Sequence, residues 1–460
     1  MGFDFQLLEN AGIQLIDGDR GKNYPKHNDF MENGYCLFLS AKNVTKSGFQ
    51  FQETAFINET KDCELKAGKL KYGDIVLTTR GTVGNVAYYD SNNPYKHIRI
   101  NSGMIIIRSD SKLWNPKFLY FILTSAFLQE QIVNLISGSA VPQLPARDIK
   151  KFILPVISKN IQDKISNVIS ALNDKISVNI DTNQTLEQMS QTIFKSWFVD
   201  FDPVIDNALD AGNPIPEALQ SRAELRQKVR NSADFTPLSA DIRALFPAEF
   251  EETELGLIPK NWHIRDFSDI AVLIKNNIKS DDICDDIHYI GLEHLERKHI
   301  FITSYGNGSD VSSNKSAFNK GDLLFGKLRP YFHKVAITPF SGICSTDILV
   351  FRAKDKFYKS LIAMYAFTDE FVAYANLRST GTRMPRAEAK DLLKYKIILP
   401  NKDILEKFEL LLEGYWTKGQ LNNNENEQLT ALRDTLLPKL ISGELSLEDL
   451  PNLVDQTEPA

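Results

Sequence analysis

Apolar residues recur at steps of three and four between Ile161 and Phe198, and no proline or glycine interrupts this stretch. Such spacing places a narrow apolar stripe along one side of a helix. The pattern therefore predicts one long helix, roughly 55 Å in length at about 1.5 Å per residue. The stripe consists of Ile161, Ile165, Val168, Leu172, Ile176, Ile180, Leu186, Met189, Ile193 and Trp197.

A second stretch with the same spacing runs from Ile404 to Ile441. The two stretches belong to a longer similarity, in which Gly138 and Gly381 are offset by 381 − 138 = 243 positions. An offset that is held over about fifty residues predicts that the chain contains two copies of one unit. The second stripe consists of Ile404, Phe408, Leu411, Tyr415, Leu429, Leu432, Leu436 and Leu440, and the offset is kept by Pro142 and Pro385, Asp148 and Asp391, Leu186 and Leu429, and Thr192 and Thr435.

Short β-type runs separated by turn residues precede each long helix, which predicts the order β-rich module, helix, β-rich module, helix. Arg329 of the second module falls on Arg80 of the first when the modules are aligned on Val86 and Val335. We expect strands at 35–39, 74–79, 86–89, 104–107 and 149–154 and a helix over 115–136 in the first module, and strands at 320–325, 335–336, 345–352 and 396–400 and a helix over 357–377 in the second.

Helices with a narrow apolar stripe usually pack on one another. We expect the two long helices to pair antiparallel about a pseudo-twofold axis, with the β-rich modules at opposite ends. Asn179 and Asn183 lie among the stripe positions, and Asn422 and Asn426 match them at the same offset. Because asparagine in an apolar contact costs stability and fixes register, these four residues predict the register of the helix pair. The alternative is a solvated or partner-facing middle, since 422–426 is very polar.

Charge and composition narrow the possible functions. The 460 residues fit two to four domains, and the net charge is −6 with a pI of about 5.8. A protein that bound DNA over its whole surface would usually be basic, so any DNA contact must come from local basic patches. The four cysteines form no CxxC pair, which indicates neither a disulfide framework nor a thiolate zinc site. We find no signal peptide or membrane span and expect a cytoplasmic protein with no membrane partner.

Motifs for nucleotide chemistry are missing from the sequence, which has neither a GK[ST] phosphate loop nor GxGxxG after a strand. Asp369, Glu388 and Lys390 have the spacing of a nuclease triad, but Pro145 and Arg147 at the matching first-copy positions do not preserve it. A possible zinc set matches no common spacing. We therefore expect no catalytic residue, no metal site and no cofactor in this chain, and interpret the two modules as binding modules. The zinc set would be Cys284, His288, His294 and His299.

Each β-rich module places cationic, polar and aromatic side chains on the turn between two strands. Arginine reads guanine edges, asparagine reads adenine edges, and lysine binds phosphate. Because a duplex offers two faces to a protein with internal twofold symmetry, we expect both turns to contact double-stranded DNA. The alternative is that these side chains only solvate the turns. The candidates are Arg80, Thr82, Asn85, Tyr88 and Lys42 in the first module and Lys327, Arg329, Tyr331, His333 and Arg297 in the second.

Several stretches together resemble the specificity subunit of type I restriction–modification enzymes, and the match covers most of the chain. Residues 137–155 and 381–400 resemble the end of a target-recognition domain, and 192–203 (TIFKSWFVDFDP) resembles the central conserved region. Residues 255–262 (LGLIPKNW) resemble the start of a second target-recognition domain, and 432–445 (LRDTLLPKLISGEL) resembles the distal conserved helix. The start of the first module departs from this pattern because it has no counterpart of LGLIPKNW.

The resemblance implies an α+β fold in which two β-rich target-recognition domains are joined by two long antiparallel helices with an internal pseudo-twofold repeat. It implies target-recognition domain 1 at 1–155, a central conserved region at 156–254 with a long helix at 159–198 plus an irregular connector, target-recognition domain 2 at 255–400, a distal conserved long helix at 401–445 and an acidic tail at 446–460.

The resemblance also implies the partners. Each module would read one half of a bipartite DNA target, and two methyltransferase subunits, which bring S-adenosylmethionine and the adenine chemistry, would dock on the helical regions. Restriction and translocase subunits would bring ATP and Mg²⁺, and the chain itself would be non-catalytic. Two alternatives remain open: a stand-alone sequence-specific DNA nuclease or methyltransferase, and a coiled-coil adaptor that binds only protein.

Overall fold

A computed structural model describes residues 3–138, 142–233, 235–254, 256–381 and 383–447. Leu255, which begins the LGLIPKNW motif, and residues 448–460 of the expected acidic tail lie outside the described residues. The chain divides into two compact units. The first unit comprises Met1–Ile176 and Glu427–Ala460, and the second comprises Ser177–Asn426.

The first unit contains a four-stranded antiparallel sheet of order β2-β10-β7-β8, a three-stranded sheet of order β6-β3-β9 and the pairs β1-β11 and β4-β5. The strands are β1 (Phe5–Leu7), β2 (Ile13–Asp17), β3 (Cys36–Phe38), β4 (Val44–Thr45), β5 (Gly48–Phe49), β6 (Phe56–Ile57), β7 (Ile75–Thr78), β8 (Val86–Tyr88), β9 (Ile98–Arg99), β10 (Met104–Ser109) and β11 (Ile153–Pro155), and the helices are α1 (Glu59–Glu64), α2 (Pro116–Thr124), α3 (Ala126–Leu135), α4 (Ala146–Ile149) and the start of α5 (Lys159–Phe194).

Strand β10 lies inside the four-stranded sheet and shows why an inner strand carries an unbroken apolar run. Successive side chains of a strand point to opposite faces. Ile105 and Ile107 pack with Phe118 of α2, while Met104 and Ile106 pack in a separate cluster on the other face. A sheet that is covered on both faces needs apolar residues at every position of its central strands.

The second unit repeats this pairing pattern. Its four-stranded antiparallel sheet has the order β15-β23-β20-β21, beside a five-stranded sheet of order β16-β19-β22-β17-β18 and the pairs β14-β24 and β12-β13. The elements are α6 (Asp202–Ala211), α7 (Gln220–Arg230), α8 (Ala240–Arg243), β12 (Phe250–Thr253), β13 (Gly256–Pro259), β14 (His263–Asp266), α9 (Phe267–Ile270), β15 (Ala271–Leu273), β16 (Asn277–Ile278), β17 (His288–Ile290), β18 (Gly306–Asn307), β19 (Lys315–Phe318), β20 (Leu323–Gly326), β21 (Val335–Ile337), β22 (Gly342–Cys344), β23 (Ile348–Ala353), α10 (Lys359–Ala366), α11 (Asp369–Leu377), α12 (Ala389–Leu392), β24 (Lys396–Leu399) and α13 (Lys402–Ser442).

An ion pair between a partly exposed arginine and a buried aspartate recurs at the same place in both four-stranded sheets. Arg108 on β10 donates two hydrogen bonds to Asp74, which precedes β7, at 2.7 and 2.6 Å. Arg352 on β23 donates two to Asp322, which precedes β20, at 2.7 and 2.8 Å. Both aspartates are almost fully buried. A buried carboxylate requires such a partner, so these pairs fix the start of the strand that leads into each candidate turn.

Within each unit, α5 and α13 contact each other, and the two helices run in opposite directions. In the first unit, Ile165 and Leu440 belong to one apolar cluster, and Arg433 donates a hydrogen bond of 3.0 Å to Asn173. In the second unit, Asn179 donates a hydrogen bond of 2.9 Å to Asn426. The apolar stripe is wrong at three positions, because Ile180, Met189 and Leu432 are exposed. Polar side chains take the buried positions between them, namely Asn179, Asn183, Glu187, Ser190 and Asn422.

Several predicted elements are wrong in detail. The helix expected over 115–136 is broken at Ser125, whose hydroxyl donates to the Ile122 carbonyl at 2.6 Å. A hydroxyl that bonds the backbone in this way competes with helical hydrogen bonding. The long helix ends at Phe194 and continues as a π-helical turn over Lys195–Val199. The helix expected over 357–377 is likewise two helices, α10 and α11, and most of the strand expected at 149–154 is the end of α4 and a turn.

The connector between the modules is more helical than the sequence analysis expected. Its prolines indicated irregular structure, but Pro203 lies within the first turn of α6, where a proline has no helical hydrogen bond to lose. The motif after Leu255 contributes β13, which pairs antiparallel with β12, and places Trp262 in the core. At the start of the first unit, the chain is instead tied to α13. The Phe3 N–H donates to the carbonyl of Ser442, at the end of that helix, at 3.3 Å.

Among the described residues, no single helix is long and apolar enough to cross a membrane. One bent pair, Pro116–Thr124 with Ala126–Leu135, passes that test by length and composition only, at an angle of 63°. Its apolar side chains are mostly buried in the core of the first unit.

Candidate nucleic-acid interface

The β7–β8 turn, residues 79–85, is folded by its own backbone and by two glycines. Gly81 and Gly84 have positive φ values of 76° and 96°, which side chains rarely tolerate. The Gly84 N–H donates to the Thr78 carbonyl, and the Asn85 N–H donates to the Thr78 hydroxyl, both at 3.0 Å. These bonds hold the turn in one conformation and leave Arg80 and Thr82 exposed.

Arg80 lies at the edge of a polar groove of about 170 Å³ that is also lined by Arg20 and Gln143. Its backbone pairs with that of Gln143 in an isolated β-bridge. The adjacent Leu144 N–H donates to the Thr79 carbonyl at 3.0 Å. The loop after α3 is therefore fixed beside the β7–β8 turn. Arginine and glutamine are side chains that can donate to base edges.

The other three first-module candidates differ in how they are placed. Lys42 is exposed near the turn, where its ammonium contacts Glu53 at 2.5 Å. The Asn85 side-chain amide donates to the Val44 carbonyl at 2.9 Å, which ties the turn to β4. Tyr88 is half-buried against Tyr120, and burial raises its pKa. The structure thus leaves Arg80, Thr82 and Lys42 exposed, whereas Asn85 and Tyr88 support the turn.

The β20–β21 turn, residues 327–334, has a strained backbone. Arg329 and His333 have positive φ values of 51° and 52°, although neither is glycine. Such residues are held in place by their surroundings and occur often at functional sites. The Arg329 N–H donates to the Pro385 carbonyl at 2.7 Å, and a short 3₁₀ turn over Pro330–Phe332 follows. Tyr331 is 52 % exposed at its apex.

Arg297 joins this turn from a separate segment. Its guanidinium lies over the Phe332 ring at 4.0 Å, and that of Arg329 lies 5.9 Å from the same ring. Stacking of this kind restrains an arginine without using its hydrogen-bond donors. The structure therefore brings Arg297, Arg329 and Tyr331 together around Phe332. Lys327 is half-buried at the start of the turn, where its backbone N–H donates to the Asp347 carbonyl at 2.9 Å.

His333 is buried and supports the turn from below. Its Nε2 lies 3.0 Å from the Phe367 carbonyl oxygen and its Nδ1 lies 3.2 Å from the Asp369 carboxylate. Burial lowers the pKa of His333, against the opposing effect of both acceptors. Lys298 also pairs with Asp369 at 2.9 Å, and its backbone N–H donates to the His333 carbonyl at 3.0 Å. Asp369 thus has a structural role beside the turn.

The backbone hydrogen bonds correct the alignment of the two turns. Arg80 pairs with Gln143, and Leu328 pairs with Arg386 in the equivalent bridge, so Arg80 corresponds to Leu328. The predicted match of Arg80 with Arg329 is displaced by one residue because the second turn is one residue longer. Sequence reasoning also missed Arg386, whose guanidinium bonds Asp347 at 3.0 Å. Gln143 and Arg386 lie in the repeated segments that begin at Gly138 and Gly381. The repeat was therefore the signal that could have identified both residues.

The titratable groups that gather at the β20–β21 turn, His333, Lys298 and Asp369, are engaged with one another. Within the described ranges, no cluster of three or more His, Cys, Asp or Glu residues could hold a metal ion. Burial raises the pKa of both Cys36 and Cys344 to about 12, so both are thiols at neutral pH. The geometry offers arginine and tyrosine side chains on a rigid backbone, which suits recognition of an anionic, hydrogen-bonding surface such as DNA.

Comparisons with known proteins give the same interpretation. A family model described as the type I restriction modification DNA specificity domain matches residues 11–188 and again residues 259–431. The chain is 27 % identical over 455 residues to the type I restriction enzyme HindI specificity subunit of Haemophilus influenzae, covering 93 % of this chain and 98 % of that protein. It is 25 % identical over 402 residues to the MjaIX specificity subunit of Methanocaldococcus jannaschii, covering 85 % and 81 %.

A solved structure is similar in fold. The S subunit of the type I restriction–modification system of M. genitalium aligns with a TM-score of 0.52 at 14 % identity, covering 96 % of each chain. The mixed α+β fold expected from the sequence is confirmed, and neither a stand-alone nuclease or methyltransferase nor a protein-only adaptor is supported. Since the family model covers both copies of the repeat, the chain belongs to the type I restriction modification DNA specificity family.

Proposed function

We propose that this chain is the DNA specificity subunit of a type I restriction–modification enzyme and that it reads a bipartite target in double-stranded DNA. The observation that carries the proposal is that the family model matches twice, at 11–188 and 259–431. Each matched region contains one rigid turn beside exposed cationic side chains. Two reading surfaces on one chain suit a target of two half-sites.

The proposed domain organisation follows the sequence repeat. Target-recognition domain 1 comprises 1–155 and target-recognition domain 2 comprises 255–400. The central conserved region (156–254) and the distal conserved helix (401–445) contribute long helices that pair antiparallel and set the spacing between half-sites. The identical strand orders of the two four-stranded sheets support a pseudo-twofold repeat, and the hydrogen-bonded asparagines Asn179, Asn183, Asn422 and Asn426 are proposed to fix its register.

The proposed DNA contacts fall into two kinds. Arg80 and Thr82 in the first domain, and Arg297, Arg329 and Tyr331 in the second, are the candidates for base edges, because they lie at or beside turns whose backbones are held by hydrogen bonds. Lys42 and Lys327 are candidates for phosphate, which positions the protein without reading sequence. Asn85, Tyr88 and His333 support the turns through their own hydrogen bonds or packing.

The chemistry is assigned to partner subunits. Two methyltransferase subunits would dock on the helical regions and bring S-adenosylmethionine, and restriction and translocase subunits would bring ATP and Mg²⁺. The adenine must leave the base stack to be methylated, so base flipping would belong to the methyltransferase subunits. The specificity subunit then acts by placing them on the DNA in the cytoplasm.

The test is to express the chain with its methyltransferase subunits in a host that lacks other adenine methylation and to sequence the methylated sites. The expected result is one bipartite motif with a fixed spacer, which disappears when this chain is omitted. Methylation without this chain, or turnover of DNA by this chain alone with Mg²⁺ and S-adenosylmethionine, would contradict the proposal. A gel shift on random duplexes with increasing salt measures the phosphate contribution separately.

A further inference from the structure

A buried carboxylate on α5 of the second unit has no part in the proposed DNA contacts. Glu187 is 6 % exposed. One of its oxygens accepts hydrogen bonds from the backbone N–H groups of Ile300 at 2.8 Å and Phe301 at 3.4 Å. The other lies 3.0 Å from Nδ1 of His299. Because a carboxylate loses its hydration on burial, these contacts bind it firmly to the segment 299–301.

The helix α13 holds the same segment from another side. The Phe301 ring lies directly on the backbone of Gly419, where an added Cβ would be 2.2 Å from a ring atom. Phe301 also meets the Trp416 ring edge-on, with centroids 5.9 Å apart. Asn423 donates a hydrogen bond of 3.4 Å to the Ile302 carbonyl. The segment is therefore fixed to both α5 and α13 within the second unit.

The fixed segment leads straight to the β20–β21 turn. Arg297 lies two residues before His299 and stacks on Phe332 at 4.0 Å. Lys298 has a left-handed backbone with φ of 56°, and its N–H donates to the His333 carbonyl at 3.0 Å. A left-handed non-glycine residue has little freedom to change conformation without strain. A displacement of residues 299–301 would therefore also displace Arg297 and the β20–β21 turn.

We propose that Glu187 is a positioning residue for DNA recognition by the second unit. It binds the 299–301 segment to α5 and thereby fixes the orientation of Arg297 and the β20–β21 turn on the helix that anchors them. The inference rests on the proposed function. Glu187 is not a candidate for direct DNA contact, because its carboxylate is buried and occupied by the 299–301 segment. Its effect is on the precision with which one half-site is read.

The experiment uses the full chain in complex with its methyltransferase subunits, in a host without other adenine methylation. Methylation is read by sequencing for the wild type, Glu187→Ala, Glu187→Gln and the control Asp181→Asn, an exposed carboxylate on the same helix. In Glu187→Ala we expect methylation at sites with one mismatch in one half-site to rise about fivefold relative to the matched site, which corresponds to about 1 kcal/mol, the lower end of the cost of one mismatched base pair. The affected half-site is the one that Arg297→Ala also affects.

Glu187→Gln keeps an acceptor oxygen and is expected to have a smaller effect in the same half-site, which keeps the test informative if Glu187→Ala fails to fold. Asp181→Asn should leave both half-sites unchanged. Equal relaxation of both half-sites, or no change in a folded Glu187 variant, overturns the positioning role and leaves the proposed function standing. A wild-type complex that methylates no defined sequence overturns the proposed function instead.

Discussion

The side-chain amide of Asn422 donates a hydrogen bond of 2.8 Å to the amide oxygen of Asn183, and both side chains are buried between α13 and α5. Asn183 in turn donates to the Asn423 side chain at 2.7 Å, and Asn179 donates to Asn426 at 2.9 Å. Buried amides need partners for both their oxygen and their nitrogen. A slip of the two helices would leave several of these groups unpaired.

Asn183→Ala should lower the free energy of unfolding of the second unit by about 1–3 kcal/mol, because Asn422 would lose its buried acceptor. Asn422→Ala should have a similar effect. The double variant Asn183→Ala/Asn422→Ala should cost less than the sum of the single changes, since the hydrogen bond between the two amides is then lost only once. Urea denaturation measures the cycle, with the exposed Val178→Ala as control. Additive effects within about 0.5 kcal/mol would count against the coupling.

Helix α7 should depend on ion pairs for its attachment to α6. Of its residues only Ala223 is buried, and a series of arginine–aspartate pairs at a constant separation of 20 positions joins the two helices. Arg226 donates two hydrogen bonds to Asp206, at 3.0 and 2.7 Å. The series consists of Arg222 with Asp202, Arg226 with Asp206 and Arg230 with Asp210.

Arg226→Ala should therefore speed amide hydrogen exchange over 220–230, because it leaves the largely buried Asp206 carboxylate without its main partner. Salt at about 1 M should have the same effect on the wild type, since it screens partly exposed pairs. The exposed Lys228→Ala on the same helix is the matched control. Unchanged exchange in Arg226→Ala would show that apolar packing, and not the ion pairs, holds α7.

The two arginines at the turns should affect different half-sites. Arg80→Ala and Arg297→Ala should each weaken binding of the methyltransferase complex to its target by about 1–3 kcal/mol and relax sequence preference in one half only. Lys42→Ala should weaken binding to all sequences and reduce the slope of log binding constant against log salt concentration by about one. Fluorescence anisotropy on matched and mismatched duplexes measures both quantities. Loss of the same half-site in both arginine variants would contradict the assignment of one half-site to each module.

The apolar periodicity and the internal repeat predicted many of the helices and strands, because the spacing of apolar residues along a segment favours one of these structures locally. The long helices follow from spacing alone, and the matching strands follow from matching apolar runs. The buried position of Glu187 in α5 could not be predicted, because its partners are backbone groups from a distant part of the chain. The hydrophobicity of Ile180 and Met189 predicted that they are buried in the helix contact, whereas both are exposed.

The candidate site was predicted less well than the fold, for a similar reason. Sequence reasoning selected two turns from their residue types, and the structure has a turn between two strands at each place. Sequence reasoning could not determine which of the candidate side chains are occupied by their surroundings. His333 is buried under Phe367, and the Asn85 amide is bonded to Val44. Gln143 and Arg386 reach the turns from loops about sixty residues further along the chain, so only the three-dimensional fold brings them there.

Glu409 on α13 should make the stability of the second unit depend on pH. It is 8 % exposed, and its Oε2 accepts a hydrogen bond of 2.6 Å from the Ser360 N–H. Burial raises its pKa above the usual value near 4.5, against the opposing effect of Ser360. Lys359 lowers the pKa by its charge, and Glu413 raises it. The folded state thus holds this proton at a higher pH than the unfolded chain does, so its contribution to stability is complete below the unfolded pKa and is lost as the pH rises through the folded pKa.

Glu409→Gln keeps an oxygen that can accept from Ser360 but cannot ionise. The variant should be more stable than the wild type above the folded-state pKa of Glu409, where the wild type carries a buried charge, and the difference should shrink as the pH falls through that pKa toward the unfolded value. Urea denaturation at a series of pH values measures this difference. Glu413→Gln, one turn further along and exposed, is the matched control and should change the pH dependence only slightly, since it removes a neighbouring charge and no buried one. A stabilisation by Glu409→Gln of equal size at pH 4.5 and pH 8 would mean that the glutamine packs better, and would leave the ionisation of Glu409 without a role in stability.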